Sequence, residues 1–128
     1  MGAIPPAAGD LNHRRRLGAA GERVAAAHLE RLGYRVVGSG FLARKGEIDL
    51  VCRRGEELVL VEVKTRSSTA FGTPAEAVDE RKRRALTAAA AEYRALAGWR
   101  GPIAYAVFAL VLGADGEVRS SQLIPDPF

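Results

Sequence analysis

The chain has 128 residues, which suits one domain, and 48% of them are hydrophobic, which is enough for an apolar core. Lys and Arg outnumber Asp and Glu by 19 to 15, and the net charge of +4 is compatible with a nucleic-acid partner without establishing one. A single cysteine excludes an internal disulfide, and the longest apolar run, Ile103–Leu112, is too short for a membrane helix. With no secretory signal at the start of the chain, we expect a cytoplasmic protein and no membrane partner.

The first part of the chain is predicted to form a flexible tail, a helix and three strands. In chain order they occupy residues 1–10, 11–32, 34–37, 47–52 and 57–64. Apolar residues at helical spacing define the helix, Asp10 or Asn12 can cap it, and Gly33 is its natural end. The segment Gly38-Ser39-Gly40 is expected to end the first strand.

The second part is predicted to form a helix and two strands. They occupy residues 73–97, 103–112 and 117–124. Thr73-Pro74-Ala75-Glu76 is a capping box with proline at the first helical position, and Gly98 follows the helix. The order α-β-β-β-α-β-β predicts a mixed α/β domain over residues 11–124, with a mixed central β-sheet flanked by helices and a short tail at 125–128.

Charged residues interrupt two of the predicted strands. Side chains alternate along a strand, so Glu62 and Lys64 share one face while Val61 and Val63 share the other. Asp49 interrupts the preceding strand in the same way. For an isolated Glu-x-Lys, an ion pair that needs only solvent is the simpler interpretation. Two carboxylates and a lysine that converge from adjacent strands instead suit Mg²⁺ (or Mn²⁺), because hard cations prefer oxygen ligands.

The turn between these strands predicts which residues face each other. Gly55 tolerates the positive φ at the first central position of a type II′ turn, so Arg54 pairs with Glu57. In that register Asp49 lies opposite Glu62 on the same side of the sheet, close enough to share one cation.

The two strand motifs resemble a known family. Gly46-Glu47-Ile48-Asp49-Leu50, followed after the hairpin by Val61-Glu62-Val63-Lys64-Thr65-Arg66, resembles the YraN-type family of proposed endonucleases. That family is assigned to the restriction-endonuclease-like superfamily, PD-(D/E)XK, and its fold is similar to that of archaeal Holliday-junction resolvases. The resemblance covers about residues 17–112 and includes Gly21-Glu22 in the first helix and Lys82 in the second.

The resemblance implies a metal-dependent endonuclease that acts on DNA, with branched or damaged DNA as one candidate substrate. Asp49 and Glu62 would be metal ligands, Glu22 would complete the metal site, and Lys64 would be the catalytic lysine. Mg²⁺ or Mn²⁺ would be the cofactor, and a homodimer is one candidate oligomeric state.

The chain departs from the family's pattern at four positions. They are Gly40, Leu42, Ala104 and Ala106, where the family often has Asn, Arg, Arg and Asp. These departures keep open an alternative function, a nucleic-acid-binding module that retains the nuclease fold without turnover. A protein-interaction domain, in which the charged strand is only an ion-pair surface, is a more distant third.

Basic residues beside the strand motif and on the second helix are predicted to contact phosphates. They are Arg66, Lys82, Arg83 and Arg84, together with Ser67 in the loop after the third strand. A charge run of this kind is more often a solvated surface. Lys82 is the exception, because it falls on the apolar stripe of its helix, where a charge is expected only if it reaches a site at the edge of the sheet.

Overall fold

A five-stranded sheet with a helix against each face forms the fold. The computed structural model describes residues 13–66 and 80–125. Its elements are α1 (His13–Arg31), β1 (Arg35–Leu42), β2 (Glu47–Arg54), β3 (Glu57–Arg66), α2 (Glu80–Ala97), β4 (Ile103–Leu112) and β5 (Val118–Pro125). This order and the mixed sheet confirm the predicted α/β, restriction-endonuclease-like fold class.

The strands follow one another across the sheet in the order β1-β2-β3-β4-β5. β1, β2 and β3 are antiparallel neighbours, and β5 is antiparallel to β4. β3 and β4 are parallel, and the chain passes through α2 between them. A parallel pair needs such a crossover, which explains why the second helix lies at this point of the sequence.

The hairpin between β2 and β3 has the predicted register. Gly55 has a φ of 62°, and the pairing begins with Arg54 and Glu57 on either side of a two-residue turn. The last pair of this ladder is Leu50–Val61. The ladder therefore stops one pair short of the predicted pair of acidic residues.

Two apolar clusters lie on opposite faces of the sheet. The cluster on the α1 side consists of Ala25, Leu29, Tyr34, Leu50, Cys52, Val59, Val61, Ala106, Phe108 and Leu110. The cluster on the α2 side consists of Phe41, Ile48, Val51, Leu58, Leu60, Ala89, Ala90 and Tyr93. In β3, Val59 and Val61 thus face α1 while Leu58 and Leu60 face α2, as the alternation of a strand predicts.

The first strand is longer than predicted. β1 continues through Gly38-Ser39-Gly40, the segment predicted to end it. The pairing with β2 is irregular between Val36 and Gly38, and Gly40 has a φ of 65°. The glycines therefore introduce irregularities into a paired strand instead of ending it.

Both helices end as predicted, because Gly33 and Gly98 adopt φ values of 98° and 67°. Neither helix in the described ranges is long and apolar enough to cross a membrane. The predicted N-terminal tail, the capping box at residues 73–76 and Ser67 lie outside the described residues.

Candidate metal centre

β2 and β3 separate at the end of their ladder that lies away from the turn. Beyond the last pair, Asp49 Oδ2 accepts a hydrogen bond of 2.8 Å from the backbone N–H of Val63. A side-chain oxygen therefore takes the place that a backbone carbonyl would have in a regular ladder. We call this part of the sheet the open end. Its charged residues are Glu22, Glu47, Asp49, Glu62, Lys64 and Lys82.

The alternation of side chains in β2 is interrupted at Asp49. Ile48 packs in the cluster on the α2 side and Leu50 in the cluster on the α1 side, although residues two apart on a regular strand face the same way. In the register of β1 with β2, Gly40 stands opposite Asp49, and its φ is 65°. Both strands are thus irregular where the Asp49 side chain crosses toward Val63.

The backbone at Gly40 accounts for one departure from the family's pattern. A φ of 65° lies in the left-handed region, which glycine enters freely and asparagine more readily than most other residues. The family's frequent Asn and the Gly of this chain both suit that conformation.

Three carboxylates form a compact cluster at the open end. One oxygen each from Glu22, Glu47 and Asp49 lies within 4.8 Å of the others, and all three side chains are half-buried. Glu22 comes from α1, whereas Glu47 and Asp49 come from β2. Carboxylate oxygens in a half-buried setting suit a hard divalent cation such as Mg²⁺. The cluster could therefore hold a metal ion.

The electrostatic cost of this arrangement is concentrated on Asp49. Burial raises the pKa of Asp49 to about 7 from the ordinary value of 3.8. The hydrogen bond from the Val63 N–H lowers this pKa, and the charges of Glu62, Glu22 and Glu47 raise it. A carboxyl group in this position resists ionisation near neutral pH, and a nearby cation would relieve the cost.

Glu62 is buried and contacts two lysines. Its exposed fraction is 5%, and its Oε2 atom lies 2.8 Å from Lys64 Nζ and 2.8 Å from Lys82 Nζ. Lys64 follows Glu62 on the same face of β3, so the simple ion pair of the Glu-x-Lys pattern is present. Lys82 reaches the same oxygen from α2.

The structure does not pair Asp49 with Glu62 face to face, which differs from the register argument. Glu62 points toward Lys82 on the α2 side, whereas Asp49 reaches toward Val63 and the carboxylate of Glu22. The reason is that the strands separate after Leu50–Val61, so the alternation that holds within the ladder does not extend to the next residues. The two carboxylates remain close enough for Glu62 to raise the pKa of Asp49.

Two glycines allow both helices to approach the open end closely. A Cβ atom on Gly21 of α1 would lie 2.5 Å from the Oγ1 atom of Thr65 in β3. A Cβ atom on Gly46, just before β2, would lie 3.1 Å from the backbone oxygen of Ala85 in α2. Each glycine directly precedes a glutamate of the carboxylate cluster. Each Gly-Glu pair thus places a glutamate next to a close contact: Glu22 beside the contact of α1 with β3, and Glu47 beside the contact of α2 with the start of β2.

Sequence reasoning missed Glu47 as a member of the cluster. The structure brings together the predicted site residues Glu22, Asp49, Glu62 and Lys64, and Glu47 joins them. A signal was available, because Glu47 lies two residues before Asp49 in a predicted strand, and such residues share a face.

The residues predicted to contact phosphates are spread more widely than the carboxylates of the open end. Arg66 is exposed at the end of β3, and Arg84 is exposed on α2. The guanidinium of Arg83 forms an ion pair with Glu80 on the same helix. Lys82 is linked to the open end through Glu62.

The other departures from the family's pattern lie in the hydrophobic core on the α1 side and at the end of β1. Ala106 is buried in the cluster on the α1 side, and Ala104 packs against that cluster. Leu42 is exposed at the end of β1, where it pairs with Glu47. Ala104 and Ala106 therefore supply methyl groups to the core, while Leu42 leaves an apolar side chain beside the carboxylate cluster.

Comparison with known proteins identifies relatives along most of the chain. The model of "Uncharacterised protein family UPF0102" matches residues 21–111, which include all the charged residues of the open end. The UPF0102 protein of Moorella thermoacetica is 43% identical over 116 residues, which cover 90% of this chain and 97% of the relative. The UPF0102 protein of Symbiobacterium thermophilum is 43% identical over 115 residues, which cover 89% of this chain and 97% of the relative. The UPF0102 protein of Anaeromyxobacter dehalogenans is 44% identical over 114 residues, which cover 88% of this chain and 84% of the relative.

Proposed function

We propose that this chain, which belongs to the UPF0102 family with its restriction-endonuclease-like, YraN-type fold, is a divalent-metal-dependent endonuclease that hydrolyses phosphodiester bonds in DNA. One observation carries the proposal. Four carboxylates and two lysines from α1, β2, β3 and α2 converge at the open end of the sheet. Gathered carboxylates cost stability in the isolated chain, and carboxylates that can hold a metal ion beside a lysine are groups that metal-assisted phosphodiester hydrolysis can use.

The residues present fit Mg²⁺ or Mn²⁺. Glu22, Glu47 and Asp49 would hold the ion through oxygen atoms, with Glu62 as a fourth carboxylate nearby. When bound, the ion would polarise a phosphoryl oxygen and lower the pKa of a coordinated water molecule.

The role of Lys64 follows from its position. Its side chain is 23% exposed, and its ammonium lies 2.8 Å from the Glu62 carboxylate. It is therefore held beside the carboxylates while retaining access to a substrate. From there it can donate a hydrogen bond to a phosphate oxygen and stabilise the negative charge that builds on the phosphorus centre.

A nucleic acid is the class of substrate that the charges around the site favour, and DNA is the one that the family resemblance implies. Arg66 follows Lys64 by two residues, and Arg84 extends the basic surface along α2. Each lost contact with a duplex phosphate should reduce the slope of log affinity against log salt by about 0.9. Affinity is therefore measured at several salt concentrations for the wild type and for a variant neutralised at Arg66, Lys82, Arg83 and Arg84. An unchanged affinity and slope would show that this basic edge is only solvated surface.

The activity is tested with a panel of linear, nicked, single-stranded and branched DNA in Mg²⁺ or Mn²⁺. Cleavage should need the metal, and Glu62→Ala or Lys64→Ala should reduce the rate by orders of magnitude while the fold is kept. Glu56→Ala, which removes an exposed carboxylate at the turn of the same hairpin, serves as the matched control. Cleavage without metal, or full activity in Glu62→Ala, would contradict the assignment.

The alternative function is a DNA-binding module without turnover. The observation that favours it is Leu42, an apolar residue beside Glu47 where the family often has Arg. The same panel separates the two functions, because a binding module would bind branched or damaged DNA and leave it intact with both metal ions.

A further inference from the structure

Lys82 connects α2 to the open end of the sheet. The buried residues of α2 are Leu86, Ala89, Ala90 and Tyr93. Lys82 lies one turn before Leu86 on the same stripe, so the helix face that packs on the sheet begins with a charge. The ammonium of Lys82 lies 2.8 Å from Glu62 Oε2, the oxygen that Lys64 also contacts.

Glu62 Oε2 thus has two ammonium partners, although one ammonium is enough to neutralise a carboxylate. A structural ion pair on β3 needs only Lys64. The side chain of Lys82 is 37% exposed, compared with 6% for that of Glu62. Lys82 can therefore move into solvent or toward a ligand, whereas Glu62 is confined.

We propose that Lys82 is a positioning residue that holds Glu62 while no divalent cation is present and releases it when a cation binds at the carboxylate cluster. The inference rests on the metal site of the proposed function. Glu62 lies close enough to the carboxylate cluster for its charge to act on Asp49. A divalent cation at the cluster therefore attracts the Glu62 carboxylate in competition with the ammonium of Lys82. The released ammonium then lies beside the site and can contact a DNA phosphate.

The exchange predicts opposite effects of one substitution. Lys82→Met keeps most of the apolar stem and removes the competing charge, so the affinity for Mn²⁺ should rise about tenfold. Cleavage at saturating Mn²⁺ should fall about tenfold, because a phosphate contact is lost. A residue that only supported the fold would weaken both.

Metal affinity is measured by calorimetry on the full chain, first freed of metal and without DNA. Lys82→Arg keeps the charge and should bind Mn²⁺ like the wild type. Arg81→Met removes a charge from the exposed neighbouring position and serves as the matched control, with an affinity close to that of the wild type. Only Lys82→Met should bind more tightly.

A second measurement needs no variant and stays informative if Lys82→Met fails to fold. In the wild type with labelled lysines, nuclear magnetic resonance follows the side-chain signals during a Mg²⁺ titration. The Lys82 signal should shift to that of a solvated lysine as Mg²⁺ binds.

A double variant tests whether the competition is for Glu62. The gain in Mn²⁺ affinity from Lys82→Met should be clearly smaller in a Glu62→Gln background, because that background has no Glu62 carboxylate for which the two cations could compete.

The outcomes separate the exchange from the nuclease function. Equal or weaker Mn²⁺ binding by folded Lys82→Met, or a Lys82 signal that does not respond to Mg²⁺ binding, would overturn the exchange and leave the nuclease standing. Exchange without cleavage of any DNA would overturn the nuclease and leave the exchange standing. A wild type that binds neither ion would overturn both.

Discussion

The two ends of the β2–β3 hairpin arrange charge in opposite ways. At the turn end, the guanidinium of Arg53 lies 4.9 Å from the centre of the Trp99 ring, and that of Arg54 lies 4.9 Å from the Tyr34 ring. Arg54 also donates a hydrogen bond of 2.8 Å to the Tyr34 hydroxyl. At the open end, three carboxylates lie within 4.8 Å of one another and two ammonium groups contact one oxygen.

The difference separates charges that the chain itself stabilises from charges that a bound cation could stabilise. An arginine over an aromatic ring gains energy from the chain itself, about 0.5–1 kcal/mol at an exposed site. Carboxylates gathered together repel, and their burial adds a further cost. Such a group becomes favourable only when a cation or a cationic side chain joins it. The open end could therefore hold a metal ion, whereas the charges at the turn end are stabilised within the chain.

Asp49→Asn is expected to have the largest effect. The amide keeps an oxygen that can accept the Val63 N–H but removes the costly charge, so the metal-free protein should gain about 1–3 kcal/mol of stability. Mg²⁺ should raise the melting temperature of the wild type by binding the folded state. This rise should be lost in Asp49→Asn, and cleavage should fall by orders of magnitude. Thermal denaturation with a chelator and with Mg²⁺ provides the measurement.

Asp115→Asn is the matched control for this substitution. Asp115 is exposed, and its pKa is lowered by the backbone N–H of Glu117 and by Arg119. Loss of the Asp115 charge should lower the free energy of unfolding or leave it unchanged. The response of the protein to Mg²⁺ should be kept. A loss of metal-free stability in Asp49→Asn would show that its charge is already compensated within the chain.

The gain from Asp49→Asn should depend on pH. With a pKa of about 7 in the folded protein and 3.8 as its ordinary value, Asp49 takes up a proton on folding at pH values between these two. Its contribution to stability therefore falls as the pH rises through this interval, and the full penalty is present above pH 7. The difference between Asp49→Asn and the wild type should be close to zero near pH 4 and largest above pH 7. Urea denaturation in a chelator at several pH values measures it, and a difference independent of pH would contradict the assignment.

Gly21→Ala tests whether close packing of α1 builds the open end. The added Cβ atom meets Thr65 Oγ1 at 2.5 Å, so we expect a loss of about 1–3 kcal/mol and weaker metal binding. The other two neighbours of that atom, also in Thr65, lie at 3.6 and 3.9 Å, which is ordinary contact. In a Thr65→Ala background the same substitution should therefore cost much less. If Gly21→Ala cost the same stability in the wild type and in Thr65→Ala, the effect would arise within α1 and not from its contact with Thr65.

Arg53→Ala should have the smallest effect. The loss of its contact with Trp99 is expected to cost about 0.5–1 kcal/mol in urea denaturation, with Arg53→Lys intermediate. Mn²⁺ affinity and cleavage should stay at the wild-type level. A change in either would remove the distinction between the two ends of the hairpin.

Local rules were sufficient for the order of the elements and for most of the hairpin. The turn at Gly55, the stops at Gly33 and Gly98, and the opposite faces of Val61 and Glu62 depend on φ preferences and on the alternation of a strand. The extent of β1 was predicted wrongly at Gly38-Ser39-Gly40 because glycine permits both a break and a bulge. Pairing with β2 decides between them, and that pairing is not a local property.

The sequence by itself determined which residues carry charge inside otherwise apolar strands, and hence that Asp49, Glu62 and Lys64 needed an explanation. The family resemblance already placed Glu22 with Asp49. Only the tertiary structure decided that Lys82 contacts Glu62 and that Glu47 joins Glu22 and Asp49. The alternation of a strand follows from its covalent geometry and can be read from the order of residues. The point where two strands separate, and the distance at which a helix packs against them, depend on contacts between segments far apart in the chain.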